Sequence, residues 1–409
     1  MLSELITGEA QKRPLSKYFT KGDVIEVKIE KIVPRGFGLA FAENLTVLVP
    51  LTAPGDVARV RIGEIKKRMA FADIVEITRP GPMRVAPPCV HFGTCGGCDF
   101  QQMSYAAQLE AKGGIIRDCL QRIGKIDFEG EISVIASPNQ FEYRSRARWH
   151  LDREKQTFGY FRRDSHEVID VSQCPILTPG MQSTLDYLRQ SVDWEMFWSQ
   201  NPEIEAVSGE GGRVSTFSNE LPELAAEISI EIAGETYSYT AETFFQANRF
   251  LIEKLIETAV GDLSGVTAFD LYCGVGLFSI PIARRFEKVT AVEEVVAAVE
   301  LAKKNVENAG LVNVKIIGTT VSKFLTENKL KKVDLILIDP PRSGTEKQTI
   351  PQLVALKPAR IVYVSCEPSI LARDLRVLLD AGYAIDSITA LDLFPQTHHV
   401  ETVAHLKRN

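Results

Sequence analysis

The sequence contains no apolar run that approaches the length of a membrane span, so it offers no transmembrane helix. The first residues, Met1 to Phe19, lack the apolar core of a signal peptide. A basic excess is missing too, since the formal net charge is −6. Nucleic acid would therefore have to be held by local basic patches. Cysteine is scarce and odd in number, seven in 409 residues. Without an export signal, that argues against a disulfide framework. Metal-binding or catalytic cysteines in a reducing cytoplasm fit better. What remains is an ordinary globular composition, 45% apolar and 24% charged, in a chain long enough for two or three domains.

Met1 to Leu15 shows no clear period. From Lys21 short strands follow one another. Val24, Ile25, Val27, Ile29 and Ile32 mark the first, Gly36-Phe37-Gly38 a bend, and Thr46 to Leu51 another apolar run. Asp56 to Ile62 alternates, and Phe71 to Ile77 closes the set. Short strands separated by Gly and Pro turns predict a small β-barrel. Arg59 and Arg61, with the run Lys66-Lys67-Arg68, give it a basic side or a merely solvated face. The stretch resembles a TRAM domain, an OB-like RNA-binding module.

Next come Cys89, Cys95 and Cys98, three thiols in ten positions around Gly96-Gly97, with Cys174 further on in Gln173-Cys174-Pro175. Four thiolates close a tetrahedral zinc site or hold a four-iron cluster, and spacing leaves both open. Cys119 lies on a helical stretch, Tyr105 to Ile123, and reads as packing. Phe141 to His150 alternates like a strand, which puts Arg144, Arg146 and Arg148 on one face. Arg162 and Arg163 follow among aromatics, a mixture that suits a base-stacking surface or a solvated sheet face. Gln246 and Asn248 precede a helix over Arg249 to Ala259, and cap it or face a ligand.

From Val266 strand and helix alternate. Thr267 to Leu271 runs into Asp270-Leu271-Tyr272-Cys273-Gly274-Val275-Gly276. Ser279 stands where a dinucleotide fingerprint has its third glycine, so the turn suits S-adenosylmethionine better. A second strand ends at Glu293, where a carboxylate can accept both ribose hydroxyls; Glu294 is the lesser candidate. Thr319 and Thr320 follow a third strand, and Asp339-Pro340-Pro341-Arg342 a fourth. Ile361 to Val364 makes a fifth, which stops at Ser365 and presents Cys366 before Pro368 opens a helix. In a doubly wound sheet these carboxyl ends line one crevice. That convergence turns Cys366 from a packing residue into a candidate nucleophile. The tail adds His398, His399 and Glu401 before a final strand, Thr402 to Leu406. If that strand runs antiparallel to its neighbour, Glu401 starts at the edge where Cys366 ends.

The Ser-Cys-x-Pro segment at Cys366, Asp-Pro-Pro-Arg at Asp339 and Phe-Pro-x-Thr-x-His-Val-Glu ending at Glu401 resemble the RNA 5-methyluridine methyltransferases. The order of barrel, cysteine cluster and methyltransferase domain is similar across nearly the whole chain. The resemblance implies an α/β class I methyltransferase fold with a doubly wound, mostly parallel sheet. Ahead of it would lie an OB-like β-barrel and a central α+β domain that binds a cluster. The expected domains are 16–79, 80–245 and 246–409. By the same resemblance Cys89, Cys95, Cys98 and Cys174 hold a [4Fe-4S] cluster. Gln246, Tyr272, Gly274, Gly276, Glu293, Thr320 and Asp339 are expected to serve S-adenosylmethionine. Two positions depart from the family: Glu367 stands where Asn is common, and Thr320 where Asp or Asn is usual.

The implied chemistry is methylation of uracil carbon 5. Attack of the Cys366 thiolate on carbon 6 makes carbon 5 nucleophilic, and Glu401 then removes the carbon 5 proton. Arg342 touches phosphate or forms a structural ion pair. The expected partner is RNA, with 23S ribosomal RNA favoured over transfer RNA, and the expected state is a cytoplasmic monomer without membrane contact. Two rival readings differ in class: an amino-group methyltransferase using Asp-Pro-Pro, and a non-catalytic RNA-binding iron–sulfur protein.

Overall fold

The computed structural model describes residues 19–221, 225–327 and 332–409. The irregular segment expected before residue 16, and the start of the first expected domain, lie outside them. Six strands come first: Val24–Lys28, Lys31–Val33, Phe37–Ala42, Leu45–Val49, Val57–Lys66 and Met69–Arg79. Along Val57–Lys66 the period of two is visible. Ala58, Val60 and Ile62 are buried while Arg59 and Arg61 are exposed. The buried set closes with Val27, Ile29, Val47 and Val49 into a small barrel core. Its basic side is partly neutralised, because Arg59 pairs with Glu76 and Lys66 with Glu64, each at 3.0 Å.

The cysteine segment leads into the helix Tyr105–Arg122, which Ser104 caps by accepting the Ala107 N–H. The helix buries Ile115, Ile116, Cys119 and Leu120 and packs against the helix Pro368–Asp380. A five-stranded antiparallel sheet follows, with Arg146–Asp152 at its centre.

The third unit is an eight-stranded sheet. Its order is Val314–Gly318, Phe286–Glu293, Gly265–Leu271, Leu335–Ile338, Arg360–Ser365, Glu401–Arg408, Tyr383–Leu391 and Ser133–Ile135. The first five run parallel. Glu401–Arg408 runs antiparallel to both of its neighbours. Leu335–Ile338 is buried throughout, as a strand covered on both faces must be. Two strands carry no legible sequence signal. Tyr383–Leu391 shifts register between Ile385 and Ser387, which breaks its alternation. Ser133–Ile135 is too short to show a period; it extends the sheet by pairing parallel to Thr389–Leu391. Among the described residues no helix is long and apolar enough to cross a membrane.

Candidate active site

The turn after Gly265–Leu271 is tight. Tyr272 (φ 63°), Gly274 (φ 53°) and Gly276 (φ 93°) all adopt left-handed backbone. At Gly274 that conformation favours glycine, and it lets the Gly274 N–H donate to Glu293 Oε2 at 2.9 Å. The other Glu293 oxygen accepts from the N–H groups of Glu294 and Val295, each at 2.9 Å. Three backbone donors therefore fix this carboxylate at the end of the second strand. Gln246, Gly274, Glu293 and Val295 line a cavity of about 490 Å³. Arg144, Arg146 and Arg148 line the same cavity, so the expected arginine face lies over the expected cofactor residues. Arg146 is held there by the carbonyls of Ala241 and Thr243 and by Glu205. Asn248 caps the helical turn after it, accepting the Phe250 N–H at 3.2 Å.

Cys366 stands half-buried at the end of Arg360–Ser365. Glu367 caps the following helix: its Oε1 accepts from the Ser369 hydroxyl at 2.6 Å and the Ser369 N–H at 3.3 Å. An asparagine would cap equally well, so the departure at this position keeps the local geometry. Ser365 pairs with Thr402 across antiparallel strands. Cys366 and Glu401 therefore emerge at one edge of the sheet. Burial pushes the Cys366 thiol up, and the Glu401 and Asp339 carboxyls push it further. Burial, then Asp339, also raises Glu401 well above the usual carboxylate range. Burial, then Asp270, raises Asp339 to about 8. The exposed Arg342 works in the other direction on the thiol and lowers it. The Cys366 thiol and the buried Glu401 and Asp339 carboxyls thus act on one another at this edge.

Residues 222–409 match the family described as tRNA (Uracil-5-)-methyltransferase. Residues 25–83 match the TRAM domain of the tRNA (uracil(54)-C(5))-methyltransferase family. An uncharacterized RNA methyltransferase of Caldanaerobacter subterraneus is 32% identical, over 95% of this chain and 100% of that protein. The chain belongs to the RNA uracil-5-methyltransferase family. It is an S-adenosylmethionine-dependent enzyme that methylates uracil carbon 5 in RNA. The 23S rRNA (uracil(1939)-C(5))-methyltransferase RlmD of Pectobacterium atrosepticum is 29% identical, over 93% of each chain. A Pyrococcus abyssi tRNA (uracil-54, C5)-methyltransferase, solved in complex with S-adenosyl-L-homocysteine, superposes with a TM-score of 0.71. It is 26% identical, over 93% of this chain and 100% of that one.

Two other expected cofactor residues of the methyltransferase have protein partners. The Tyr272 hydroxyl donates to Glu346 at 2.7 Å. Thr320 Oγ1 accepts the Lys323 N–H at 3.2 Å. Gly276 donates its N–H to the Cys273 carbonyl and closes the turn.

Cys89, Cys95, Cys98 and Cys174 line a second, enclosed cavity with Arg144 and Tyr160. Burial raises the Cys98 thiol to about 12 and also raises Cys95 and Cys174, and each thiol feels its neighbours. The Gly97 N–H points at Cys95 Sγ, 3.4 Å away. Among the described residues no group of three or more His, Cys, Asp or Glu closes on a single metal ion. Four soft thiols around one apolar cavity, with an N–H aimed at sulfur, are nonetheless a donor set that fits a thiophilic group.

Several residues around the site gave no sequence signal of their own. Lys112 and Asp392 form an ion pair with both side chains fully buried, and Lys112 also donates to the Phe394 carbonyl at 3.0 Å. Gln108 exchanges hydrogen bonds with Gln396, and the Tyr143 hydroxyl donates to the Pro395 carbonyl. Asp99 lies 2.6 Å from His398 Nδ1. Burial works against its ionisation, yet His398 and Arg163 hold its carboxyl down to about 2.

Asp270 gives a pH prediction. It is fully buried, and its Oδ2 accepts the Ser279 hydroxyl at 2.5 Å, while its Oδ1 lacks a partner among the described residues. Burial raises it to about 7; the Ser279 bond opposes this and Glu293 adds to it. The folded protein therefore keeps a proton that the unfolded chain loses near its ordinary value of 3.8. Stability from this group is complete below about pH 4 and is lost as pH rises through about 7. Asp270→Asn is expected to lack this loss. In calorimetry of the ligand-free protein, its Tm relative to wild type should climb over that window. A constant difference would contradict the assignment.

Proposed function

We propose that this enzyme methylates a uridine of 23S ribosomal RNA through a covalent bond between Cys366 and uracil carbon 6. The observation that carries the reading is the antiparallel pairing of Ser365 with Thr402, which brings Cys366 and Glu401 to one edge. S-adenosylmethionine supplies the methyl group. Burial and the neighbouring carboxyls favour the protonated thiol of the half-buried Cys366, so substrate binding must help it ionise. The thiolate adds to carbon 6 and pushes the carbon 5–carbon 6 π electrons into an enolate, whose carbon 5 would take the methyl group and leave S-adenosylhomocysteine behind. Glu401, whose carboxyl burial and Asp339 also raise, must likewise ionise in the complex; as a carboxylate it then takes the carbon 5 proton, the double bond re-forms and the thiolate is expelled. Gln246, Gly274 and Glu293, around the 490 Å³ cavity, would bind the cofactor, with Tyr272, Gly276, Thr320 and Asp339 nearby. The target base must leave its stack to reach Cys366. The arginine face of the central sheet suits the RNA backbone beside it, and the barrel suits a more distant contact.

The ribosomal target draws on the match to RlmD along nearly the whole chain. A transfer RNA target is the second reading, favoured by the likeness to the Pyrococcus abyssi enzyme. Incubation with labelled S-adenosylmethionine and either unmodified 23S or unmodified transfer RNA separates them. Label in transfer RNA alone would overturn the first reading.

Three domains, at 16–79, 80–245 and 246–409, would act as one cytoplasmic monomer. We further assign Cys89, Cys95, Cys98 and Cys174 to a [4Fe-4S] cluster. Anaerobically purified protein is expected to absorb in the visible and to carry four irons. Cys98→Ser should lose both signals. Stoichiometric zinc with a colourless protein would replace this assignment.

A further inference from the structure

Glu401 follows a loop whose start the sheet holds, the Asp392 N–H donating to the Ile135 carbonyl at 2.9 Å. Leu391 and Glu401 face each other across the strand pair, and residues 392–400 connect them. Lys112, Tyr143 and Gln108 hold its first half, at Asp392, Phe394, Pro395 and Gln396, and the cysteine segment holds the half that leads to Glu401. The N–H groups of Asp99 and Phe100 both donate to the Gln396 carbonyl, at 2.9 and 3.0 Å. Asp99 Oδ2 accepts the His398 N–H at 3.4 Å and meets His398 Nδ1 at 2.6 Å. Arg163 grips the other oxygen of Asp99 at 2.9 and 3.0 Å, and donates to the Cys98 carbonyl at 2.6 Å. Asp99 is thus fixed on one side and holds the loop on the other. Among the described residues Glu401 Oε1 is buried without a hydrogen-bond partner. The carboxyl is placed by the strand start, opposite Leu391, and by the loop that leads into it.

We propose that Asp99 is a positioning residue for proton removal: by holding His398 it fixes the loop that aims Glu401. The proposal builds on the assignment of Cys366 and Glu401 made above. Cys366 is set by different contacts. Its strand pairs in parallel with Leu335–Ile338, and Glu367 caps the helix that follows. That strand also pairs with Glu401–Arg408, so the two groups share the sheet, and only Glu401 follows directly on the loop that Asp99 holds. Formation of the sulfur–carbon 6 bond and methyl transfer depend on Cys366. Breaking the carbon 5–hydrogen bond, with its electrons re-forming the double bond and expelling the thiolate, depends on Glu401.

The test compares Asp99→Ala with wild type on ordinary substrate RNA and on 5-fluorouridine RNA, where fluorine blocks proton removal. Turnover should fall about 10²-fold, the scale of a small misplacement of a reacting group. Trapping on fluorinated RNA should keep the wild-type rate. A denaturant-stable complex, already methylated, should accumulate on ordinary RNA. His398→Ala should reproduce this pattern, and Asp99→Asn, which retains an acceptor oxygen, should lie between. These two variants carry the test if Asp99→Ala does not fold. Equal loss of trapping and turnover would overturn the proposal, as would wild-type turnover or an absence of complex. Wild-type protein that fails to trap fluorinated RNA would instead sink the nucleophile assignment, and the clamp with it.

Discussion

Cys366→Ala is expected to abolish methylation, with a loss on the order of 10⁴-fold or more, because no neighbouring group can replace a covalent nucleophile. The described residues offer no substitute thiol. Cys273 is buried, and burial raises it well above the ordinary range. Cys119 lies in the core between the helices Tyr105–Arg122 and Pro368–Asp380. S-adenosylmethionine should bind Cys366→Ala as it binds wild type, since Glu293 and Gly274 lie on other strand ends. No RNA adduct should form, even with 5-fluorouridine. If Cys366→Ala retained activity, methyl transfer to a nitrogen at the Asp339-Pro340-Pro341-Arg342 edge would become the better account, because that chemistry needs no thiol.

Glu401→Gln is expected to slow turnover by about 10²- to 10⁴-fold, the usual worth of a positioned base. Its signature should be the opposite of that of Cys366→Ala. The adduct should form and then persist, because attack and methyl transfer precede the step that needs the carboxylate. Gel electrophoresis under denaturing conditions reads this directly as RNA-linked protein. Glutamine is nearly isosteric and removes a carboxyl that burial and Asp339 already strain, so the variant should fold. A slow variant with no linked RNA would assign proton removal to another group. Asp339 would be the first alternative, since it acts on both Cys366 and Glu401.

The candidate site was legible in the sequence where one strand end carries one chemical group. Gly274, Glu293, Asp339 and Cys366 each follow an apolar run, and the rule that ligands sit at carboxyl strand ends gathers them without coordinates. Glu401 needed one further fact, the direction of the last strand, and Ser365 opposite Thr402 supplies it. The four cysteines were legible as a group because thiols are rare and Gly96-Gly97 bends the chain among them. What stayed hidden is long-range pairing. Asp99 and His398 are 299 positions apart, and Lys112 and Asp392 are 280 apart. No local period records such partners. A lone lysine on an amphipathic helix reads as a solvated charge, yet Lys112 is fully buried. One local cap also went unread. Thr320 reads as a ligand contact by its place in the motif, while its hydroxyl also accepts the Lys323 N–H of the helix that follows.

The short strand Ser133–Ile135 bears on how the molecule can be dissected. It covers the edge of Tyr383–Leu391, and the same region supplies Lys112 to the buried Asp392. A chain begun at residue 246 would keep every expected methyltransferase motif and lose both. It would present an uncovered sheet edge open to pairing with other chains. It would also strand a buried carboxylate without its cation, at a cost of about 3–5 kcal/mol. The catalytic unit is therefore not a portable module. Fusions, split reporters and minimal enzymes built from this family member should carry residues 99–135 with the C-terminal sheet, or they should aggregate rather than methylate.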